Sequence, residues 1–327
     1  MVGDDMVLLD MLIREKGFIS GEAIAERLKV SRTAVWKKIK TLRGQGFHIE
    51  SQPNLGYCLI SCPDKLLPVF IKRELKTDFI GQEVYYYPVT TSTNVLAKEL
   101  ASQGAREGTL VIAEEQTQGR GRMGREWLSP ANKNILISLI LRPHLSPIQV
   151  SYITMIASLS VVKTIEALTP LESSIKWPND IMIRGNKVGG ILTEFSAEQD
   201  QVVYVVVGIG VNMNFDPTIY PEIAYSATSI YLELGQEISR LKFLVGLLQE
   251  MEKEYKELQA GKGLLIVKEW RNSLMTLNKE VRVVSEQGTL EGMAEDVDEH
   301  GALILRLASG QQIKIYTGDV SLQMNKA

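Results

Sequence analysis

Glycines and arginines alternate in the segment GRGRMGREW, residues 119–127. The glycines would allow backbone amides to approach a ligand closely, because glycine carries no side chain. The arginines offer planar sets of donors that match phosphate and carboxylate oxygens. The segment therefore predicts an anion-binding loop, although a basic surface turn would have the same composition. The residues concerned are Gly119, Gly121 and Gly124 with Arg120, Arg122 and Arg125.

Three further segments carry polar groups whose types suit a binding site. TTSTN, residues 90–94, follows a predicted strand and puts hydroxyls and an amide at the start of a predicted helix, where they suit a small neutral ligand. KWPND, residues 176–180, brings a lysine, an aromatic ring and a carboxylate to one bend. NKVGGILTE, residues 186–194, places Lys187 beside two glycines. These segments strengthen the prediction that the arginine-rich loop is functional.

Each of these segments also has a purely structural interpretation. Ser92 or Thr93 could simply cap a helix. Pro178 and Asn179 are residue types that form turns, and Lys187 could be a surface lysine at the start of a strand. Taken singly, each segment leaves both interpretations open.

The length and composition of the chain limit the classes of protein to which it can belong. A chain of 327 residues with 45% hydrophobic residues can form two or three domains with apolar cores. The longest apolar runs, 135–141 and 202–207, have the length of strands and fall short of the roughly 18 residues that a membrane span requires. Acidic residues near the N-terminus also differ from the basic start of a secretory signal. We therefore expect a cytoplasmic protein that does not associate with membranes.

Metal and disulfide chemistry are not expected. A disulfide between Cys58 and Cys62 would close only a small loop, and thiols stay reduced in the cytoplasm. The histidines, at positions 48, 144 and 300, lie far apart in the sequence, so a histidine-based metal site is not predicted. We therefore expect arginine, lysine and aspartate side chains to provide the chemically active groups.

Positive charge is concentrated in residues 27–43, although the formal net charge of the chain is −3. This segment has seven basic residues among seventeen and no acidic residue. Two short helices capped by Ser20 and Ser31 and joined by a tight turn are predicted here, which is the spacing of a helix-turn-helix whose second helix reads the DNA major groove. The residues predicted to contact DNA are Ser31, Arg32, Thr33, Trp36, Lys37 and Lys40.

A predicted β-hairpin follows the basic helix. The segment FHIESQPNLGYCLI, residues 47–60, alternates apolar and polar residues around a Pro-Asn-Leu-Gly turn. A helix-turn-helix followed by a hairpin is a winged helix. A solvated basic face, or a face that binds protein, would give a similar helix, but the combination within about sixty residues favours DNA.

The rest of the chain predicts a larger α/β part and a small all-β part. Strands are predicted near 84–87, 109–113, 135–141, 174–177, 181–183, 188–195 and 202–207, and helices at 94–103, 150–168 and 241–259. A hairpin at residues 185–186 indicates a mixed or antiparallel sheet. GIGVN, residues 208–212, lacks the third glycine of a dinucleotide fingerprint, and no P-loop motif occurs. From about residue 275, short alternating runs predict a small β-barrel.

The segments TSTN, GRGRMGREW, KWPND, NKVGGIL and GIGVN, in this order and after a winged helix, resemble the bifunctional biotin protein ligase and biotin operon repressor of bacteria. The resemblance covers essentially the whole chain, and the arginine-rich loop combined with KWPND and Lys-x-Gly-Gly is its most specific part. It implies a multidomain α+β protein. The implied domains are a winged helix-turn-helix DNA-binding domain at 1–64, a class II synthetase-like mixed-sheet α/β catalytic domain for biotin and ATP at 65–273, and a small SH3-like β-barrel at 274–327.

The resemblance implies that biotin and ATP form biotinyl-5′-AMP, from which biotin passes to a lysine of a biotin carboxyl carrier protein. Two anions meet in the first step, so cationic donors are required. Lys187 would contact the biotin carboxylate and the α-phosphate, Arg122 would clamp the adenylate phosphate, and Arg125 would attract the leaving pyrophosphate. Magnesium would arrive with ATP rather than bind to a protein cage.

The remaining site residues are also implied by the resemblance. The implied biotin-binding residues are Ser92, Thr93, Asn94, Gln116, Arg120, Gly121, Arg122 and Lys187, of which Ser92, Thr93 and Gln116 would bind the neutral ureido ring. The implied nucleotide-binding residues are Arg122, Arg125, Trp127, Asn179 and Asn212, with Trp127 packed against adenine. The implied catalytic residues are Lys187, Arg122, Asp180 and Lys176, and Asp180 would orient or deprotonate the incoming amine.

The resemblance further implies regulation by the bound adenylate. A glycine-rich loop that orders over biotinyl-5′-AMP would shield its anhydride from water, and the adenylate would promote a homodimer that sets two winged helices on palindromic operator DNA. Two alternatives remain: a DNA-binding sensor without transferase activity, and a ligase for lipoate or octanoate. Lys187, Asp180 and the arginine-rich loop favour a working ligase, and the polar TSTN segment with Gln116 favours biotin.

Overall fold

The computed structural model describes residues 3–128, 130–285 and 288–322. The chain divides into two compact units, Met1–Arg73 and Glu74–Ala327. The division into three domains at 64/65 and 273/274 stays a prediction.

The first unit has the predicted helix-turn-helix and hairpin. Ser20 and Ser31 cap the two predicted helices, since their hydroxyls accept hydrogen bonds from the backbone amides three residues later, at 3.0 and 3.2 Å. The first helix was not predicted from the sequence, although apolar residues at helical spacing, such as Leu8 and Leu12, could have indicated it. The elements are α1 Gly3–Arg14, α2 Gly21–Leu28, α3 Arg32–Gly44, β1 His48–Gln52, β2 Gly56–Ser61 and, at the boundary of the units, α4 Pro68–Glu74.

The second unit is built on a mixed seven-stranded sheet, as the sequence predicted. The strands are β3 Val84–Tyr87, β4 Leu110–Ala113, β5 Ile135–Leu141, β6 Ser174–Lys176, β7 Asp180–Ile183, β8 Asn186–Glu198 and β9 Gln201–Val211. Their order is β3-β4-β5-β9-β8-β7-β6, and only the β3–β4 pair is parallel. The β8 and β9 strands extend beyond their predicted bounds. The pairing continues through the polar outer end of β8, residues 196–198, and through residues 208–211 of β9, where two glycines interrupt the apolar run although the segment is largely buried.

Helices cover the sheet and supply much of the core. They are α5 Thr93–Ser102, α6 Ser151–Leu168, α7 Ile230–Leu234, α8 Arg240–Gln259 and α9 Gly263–Asn272. Ser239 caps α8 as its sequence indicated, with its side chain accepting from the Lys242 amide. The segment Pro147–Leu168 is long and apolar enough to cross a membrane, but 72% of its most apolar window is buried within the fold, as in a core helix.

The predicted C-terminal β domain is a five-stranded antiparallel sheet. Its strands are β10 Lys279–Ser285, β11 Gly288–Val297, β12 Leu303–Arg306, β13 Gln312–Ile315 and β14 Asp319–Leu322, in the order β13-β12-β11-β10-β14. The turn before β12 is anchored on the larger sheet and its helices. The indole nitrogen of Trp177 donates to the carbonyl of Gly301 at 2.9 Å, and the Tyr152 hydroxyl donates to the carbonyl of Glu299 at 2.9 Å. The β domain is thereby held against the KWPND segment.

Candidate active site and nucleic-acid interface

A pocket over the centre of the seven-stranded sheet collects most of the predicted site residues. It encloses about 100 Å³ and lies beneath the arginine-rich loop. The predicted residues that line it are Ser92, Thr93, Asn94, Gln116, Arg120, Gly121, Arg122, Arg125, Trp127, Asn179, Asp180 and Lys187. Four segments that are distant in the sequence therefore meet at one place.

Asp180 lies between the two lysines of the predicted catalytic set. Its Oδ1 is 2.6 Å from Lys187 Nζ, and its Oδ2 is 3.9 Å from Lys176 Nζ. The side chain of Asp180 is largely buried, whereas that of Lys187 is one-third exposed. Lys176 is not among the residues that line the pocket. The pocket thus presents Lys187 as a cation whose position is fixed by a carboxylate.

Arg122 is oriented by the asparagine of KWPND. Its Nη1 donates to Asn179 Oδ1 at 3.0 Å, and Asn179 Nδ2 donates to the carbonyl of Ile191 at 2.7 Å. Burial lowers the pKa of the Arg122 guanidinium and Arg125 acts in the same direction, while Asp180 and Asp319 oppose the shift. An arginine nevertheless stays charged, so Arg122 supplies a partly desolvated positive charge that attracts an anion more strongly than an exposed one would.

Arg125 forms an ion pair with Asp319 at the start of β14 in the C-terminal β domain. Asp319 also lines the pocket. The sequence analysis did not find this residue, because it lies in another domain and in no motif whose spacing suggests chemistry. The C-terminal β domain therefore contributes a carboxylate to the pocket that also contains the predicted ligand-binding arginines.

Trp127 rests on two glycines of the sheet. Gly190 of β8 pairs with Gly210 of β9, and a β-carbon added at Gly210 would lie 2.7 Å from the Trp127 ring. At Gly190 the corresponding distance is 3.2 Å. Lys187 Nζ lies 5.5 Å from the centre of the same ring, close enough for a cation–π contact. The glycines of NKVGGIL and GIGVN thus allow the indole to approach the sheet.

The TTSTN segment is tied to the beginning of the arginine-rich loop. Gln116 Oε1 accepts hydrogen bonds from the backbone amide of Thr93 at 2.8 Å and from its hydroxyl at 3.0 Å. Ser92 occupies the N-cap position of α5, but its side chain makes no capping hydrogen bond. Ser92 therefore holds the cap position of the helix without capping it through its hydroxyl.

Asn94 holds α5 to the sheet. Its Nδ2 donates to the carbonyl of Leu192 at 3.2 Å and to Glu194 Oε2 at 3.0 Å, and its Oδ1 accepts from the Ser138 hydroxyl at 2.6 Å. A β-carbon at Gly208 would lie 2.1 Å from Asn94 Oδ1, so this contact also depends on a glycine. The supporting role implied for Asn94 fits these contacts, while its contact with biotin stays a prediction.

Asn212 is buried beside the pocket and is not among its lining residues. Its amide donates to the carbonyl of Thr228 at 2.9 Å, and its backbone amide donates to the carbonyl of Val188 at 2.8 Å. The first bond connects the end of β9 with a later loop, and the second connects it with β8. A nucleotide contact for Asn212 stays a prediction.

The exposed face of α3 carries the residues predicted to contact DNA. Val35 and Ile39 of this helix are buried, whereas its exposed residues include Arg32, Thr33, Trp36, Lys37 and Lys40. Lys40 Nζ lies 5.4 Å from the centre of the Trp36 ring.

Two other residues of this helix region have partners within the unit. Lys38 pairs with Asp5 at 3.1 Å and with Asp4 at 3.4 Å, so its charge is partly neutralised. Ser31 serves as the N-cap of α3, and its predicted contact with DNA stays a prediction. The cationic face of α3 is therefore narrower than the sequence count suggested.

Three family models match the chain. The HTH domain model matches residues 6–58, the Biotin/lipoate A/B protein ligase family model matches residues 86–212, and the Biotin protein ligase C terminal domain model matches residues 276–323. The winged-helix and ligase parts that the sequence predicted are thus both recognised.

Whole-chain comparisons agree with these matches. The chain is 40% identical over 306 residues to the bifunctional ligase/repressor BirA of Bacillus subtilis, covering 93% of this chain and 94% of that protein. It is 28% identical over 295 residues to the Escherichia coli protein of the same name, covering 90% of each. The biotin protein ligase from Aquifex aeolicus in complex with biotin and ATP superposes with a TM-score of 0.64 at 28% identity, covering 74% of this chain and 99% of that chain. The chain therefore belongs to the family of bifunctional biotin protein ligases and repressors, which confirms the resemblance seen in its motifs.

Proposed function

We propose that this protein activates biotin with ATP to form biotinyl-5′-AMP and then transfers the biotinyl group to a lysine of a biotin carboxyl carrier protein. Support comes above all from the convergence of Arg122, Lys187 and Asp180 in one pocket. Arg122 and Lys187 are cations from different segments. Asn179 fixes the position of Arg122, and Asp180 fixes that of Lys187. Such a pair can hold two anions close together, which the first step requires.

In the first step, an oxygen of the biotin carboxylate attacks the α-phosphorus of ATP. The new C–O–P link forms as the bond to the bridging oxygen breaks, and pyrophosphate leaves. Lys187 would contact the carboxylate and the α-phosphate, and Arg122 would hold the adenylate phosphate. Arg125 would receive the pyrophosphate, in exchange for its present partner Asp319. A magnesium ion accompanying ATP would neutralise the triphosphate.

In the second step, the amine of the carrier lysine attacks the carbonyl carbon of the mixed anhydride. The amide bond forms, the bond to the phosphate oxygen breaks, and AMP leaves while the nitrogen gives up a proton. We assign to Asp180 the task of orienting this amine, with Lys176 beside it at 3.9 Å. Trp127 would pack against the adenine, and Asn179 and Asn212 would complete the nucleotide side.

The neutral ureido ring of biotin needs hydrogen-bonding groups rather than charge. We assign this ring to Ser92, Thr93 and Gln116, which lie together at the start of α5. Asn94 and Gly121 would complete the wall of the biotin site with Arg120.

The arginine-rich loop forms part of the wall of the pocket that would hold these ligands. A loop that moves outward and then closes over the adenylate would exclude water from the anhydride. This is the movement that would report ligand occupancy to the rest of the protein.

We also propose that biotinyl-5′-AMP is a corepressor. Its binding would promote a homodimer, and the dimer would place two α3 helices on palindromic operator DNA in the cytoplasm. Support comes from the exposed polar and basic face of α3 and from the repressor names of the relatives. Sedimentation and operator binding, each measured with and without biotin plus ATP, test the idea. An unchanged mass together with an unchanged DNA affinity would reject it.

The ligase function is tested by incubating the protein with biotin, MgATP and a biotin carrier domain. A product that binds streptavidin is expected only when all three are present. A carrier domain with its acceptor lysine changed to arginine is the matched control. Lipoate and octanoate, offered in place of biotin, test the alternative acyl substrate. A protein that forms the adenylate without modifying the carrier would instead be a sensor.

A further inference from the structure

We infer that a second cavity, which adjoins the pocket, binds the side chain of the carrier lysine as an uncharged amine. The cavity encloses about 200 Å³ and is lined by residues of the KWPND segment, α6, β8, α9 and the C-terminal β domain, together with Arg122. This inference rests on the proposed function, since the cavity would serve the transfer step.

The second cavity shares three lining residues with the pocket beneath the arginine-rich loop. These are Arg122, Asn179 and Ile191. Asn179 connects the other two, because its Oδ1 accepts from Arg122 Nη1 at 3.0 Å and its Nδ2 donates to the carbonyl of Ile191 at 2.7 Å. Arg122 is the residue assigned to the adenylate phosphate, and the reacting carbonyl carbon is bonded to an oxygen of that phosphate. An amine in the second cavity would therefore lie beside the bond that must break.

The lining of the second cavity has an exposed rim and a buried floor. Tyr316 is 60% exposed, whereas Trp177 and Trp270 are 1% and 2% exposed. Both indole nitrogens are bonded within the protein, that of Trp177 to the carbonyl of Gly301 at 2.9 Å and that of Trp270 to Ser158 Oγ at 3.1 Å. The two rings therefore offer apolar surface, which suits the methylene groups of a lysine.

Hydroxyl groups form another part of the lining. Ser151 and Thr154 lie three residues apart on α6, and Thr154 Oγ1 is 2.8 Å from Thr193 Oγ1 of β8. Thr193 is two residues from Ile191 on the same strand, so these hydroxyls lie near the shared residues. Hydroxyls both donate and accept hydrogen bonds, as an uncharged amine also does.

The charge of the lining favours the amine over the ammonium form. Among the described residues that line the second cavity, none is aspartate or glutamate, and Arg122 contributes a positive charge. The other ionisable residue types there, His300 and Tyr316, do not supply an anion at neutral pH. An ammonium group would lose its hydration and face Arg122, and both effects lower the pKa of a lysine. The carrier lysine would thus give one proton to water on entry and become nucleophilic.

Pyrophosphate is the competing occupant of the second cavity. Its several negative charges need more than one cationic donor, whereas Arg122 is the only arginine or lysine among the described lining residues. Buried tryptophan rings would also replace water around a strongly hydrated anion, which is unfavourable. The lining therefore favours a lysine side chain, and the experiment distinguishes the two.

The second cavity would place the amine for attack. Its nitrogen bonds to the carbonyl carbon of the anhydride, the bond from this carbon to the phosphate oxygen breaks, and AMP leaves with that oxygen. One of the two amine protons passes to water, which leaves the neutral amide.

The experiment measures the two steps separately in the full chain. Protein loaded with biotinyl-5′-AMP is mixed with the carrier domain, and transfer is followed in a single turnover. Exchange of pyrophosphate into ATP measures adenylate formation. Ser151→Met and Thr154→Met put longer side chains into the cavity, and each is expected to slow transfer by roughly 10- to 100-fold because the amine is displaced. Exchange should continue at the native rate.

Ser102→Met is the matched control. The hydroxyls of Ser102 and Ser151 each donate to the carbonyl three residues earlier, at 2.8 and 3.2 Å. Ser102 lies on α5 and does not line the second cavity. This variant should keep the native rates of both steps.

Small amines test the shape of the second cavity without the carrier. n-Butylamine has the four-carbon chain of a lysine, whereas methylamine has one carbon. The loaded native protein is expected to react roughly 10- to 50-fold faster with n-butylamine, because three more methylene groups would be buried. In the two α6 variants, this ratio is expected to fall toward unity. A substitution that disturbed only the docking of the carrier would leave the ratio unchanged.

The outcomes separate the two proposals. A native protein that forms no adenylate would overturn the proposed function and the inference with it. Native transfer rates in both α6 variants would overturn the inference alone, as would exchange that slows as much as transfer, which would indicate pyrophosphate in the cavity. If neither variant folds, equal rates with the two amines in the native protein would overturn it.

Discussion

Lys187 Nζ lies 2.6 Å from Asp180 Oδ1, so the lysine at the centre of the pocket shares its charge with a carboxylate of the neighbouring strand. This contact fixes the lysine in place before it meets an anion. An anionic ligand must then share Lys187 with Asp180, and Arg122 supplies the additional positive charge. The two cations are therefore expected to act together rather than singly.

Lys187→Ala and Arg122→Ala are each expected to slow adenylate formation by roughly 10²- to 10³-fold, because each removes a donor aimed at developing negative charge. Biotin-dependent exchange of pyrophosphate into ATP measures this step. Lys133→Ala is the control, since this lysine is exposed and pairs with Glu237 at 3.0 Å. Exchange at the native rate in either site variant would remove that residue from the mechanism.

Gly210→Ala should displace the indole of Trp127 and weaken nucleotide binding by about 10-fold, because the added β-carbon would lie 2.7 Å from the ring. An indole contact of this kind contributes about 0.5–1.5 kcal/mol, which corresponds to about 2- to 12-fold in affinity, so that 10-fold is near the upper limit. Titration of an ATP analogue measures the affinity. Gly246→Ala is the matched control, because its β-carbon meets Thr164 at an ordinary 3.5 Å. Equal nucleotide affinity in the two variants would contradict the role of the glycine.

Lys37→Ala and Lys40→Ala should each weaken DNA binding and reduce the slope of log affinity against log salt by about 1, because each removes one phosphate contact. Lys38→Ala should change this slope less, because Lys38 is paired with Asp4 and Asp5. Fluorescence anisotropy with an operator fragment across a series of salt concentrations measures the slopes. Native slopes in Lys37→Ala and Lys40→Ala would show that α3 does not contact the phosphates in this way.

Glu252→Gln should destabilise the second unit in a pH-dependent manner. Burial alone would raise the pKa of Glu252, but the backbone amides of residues 78–80 and the ammonium of Lys256 outweigh it and hold the pKa below its usual value. A lowered pKa in the folded state adds stability above the unfolded value of about 4.3, and this stability disappears as the pH falls through the folded value.

The expected difference in the free energy of unfolding between native protein and Glu252→Gln is about 1.5–3 kcal/mol at pH 7, and it should shrink below about pH 4.3. Urea unfolding across this pH range measures it. Glu250→Gln, on the same helix, should stay within about 0.5 kcal/mol of native, because Glu250 is more exposed and pairs with Lys253. A difference that is constant with pH would exclude titration of Glu252 as the cause.

Local patterns predicted most of the elements that form the site. The strands 84–87 and 135–141 have their predicted bounds, because a strand of continuous apolar residues ends where polar or turn residues begin. The caps at Ser20, Ser31 and Ser239 also needed only neighbouring residues. The helices α1, α4, α7 and α9 were missed, although α1 and α9 have apolar residues at helical spacing.

By itself, the sequence determined which chemical groups this protein has and in which short segments they lie, because spacing along a chain fixes local structure and residue type fixes charge. The tertiary structure decided which groups meet. It brought Asp319 to Arg125, seated Trp127 on Gly210, and buried Glu114 with Arg240. Contacts of this kind depend on how the sheets and domains pack against one another. The spacing of residues along a short segment does not specify that packing.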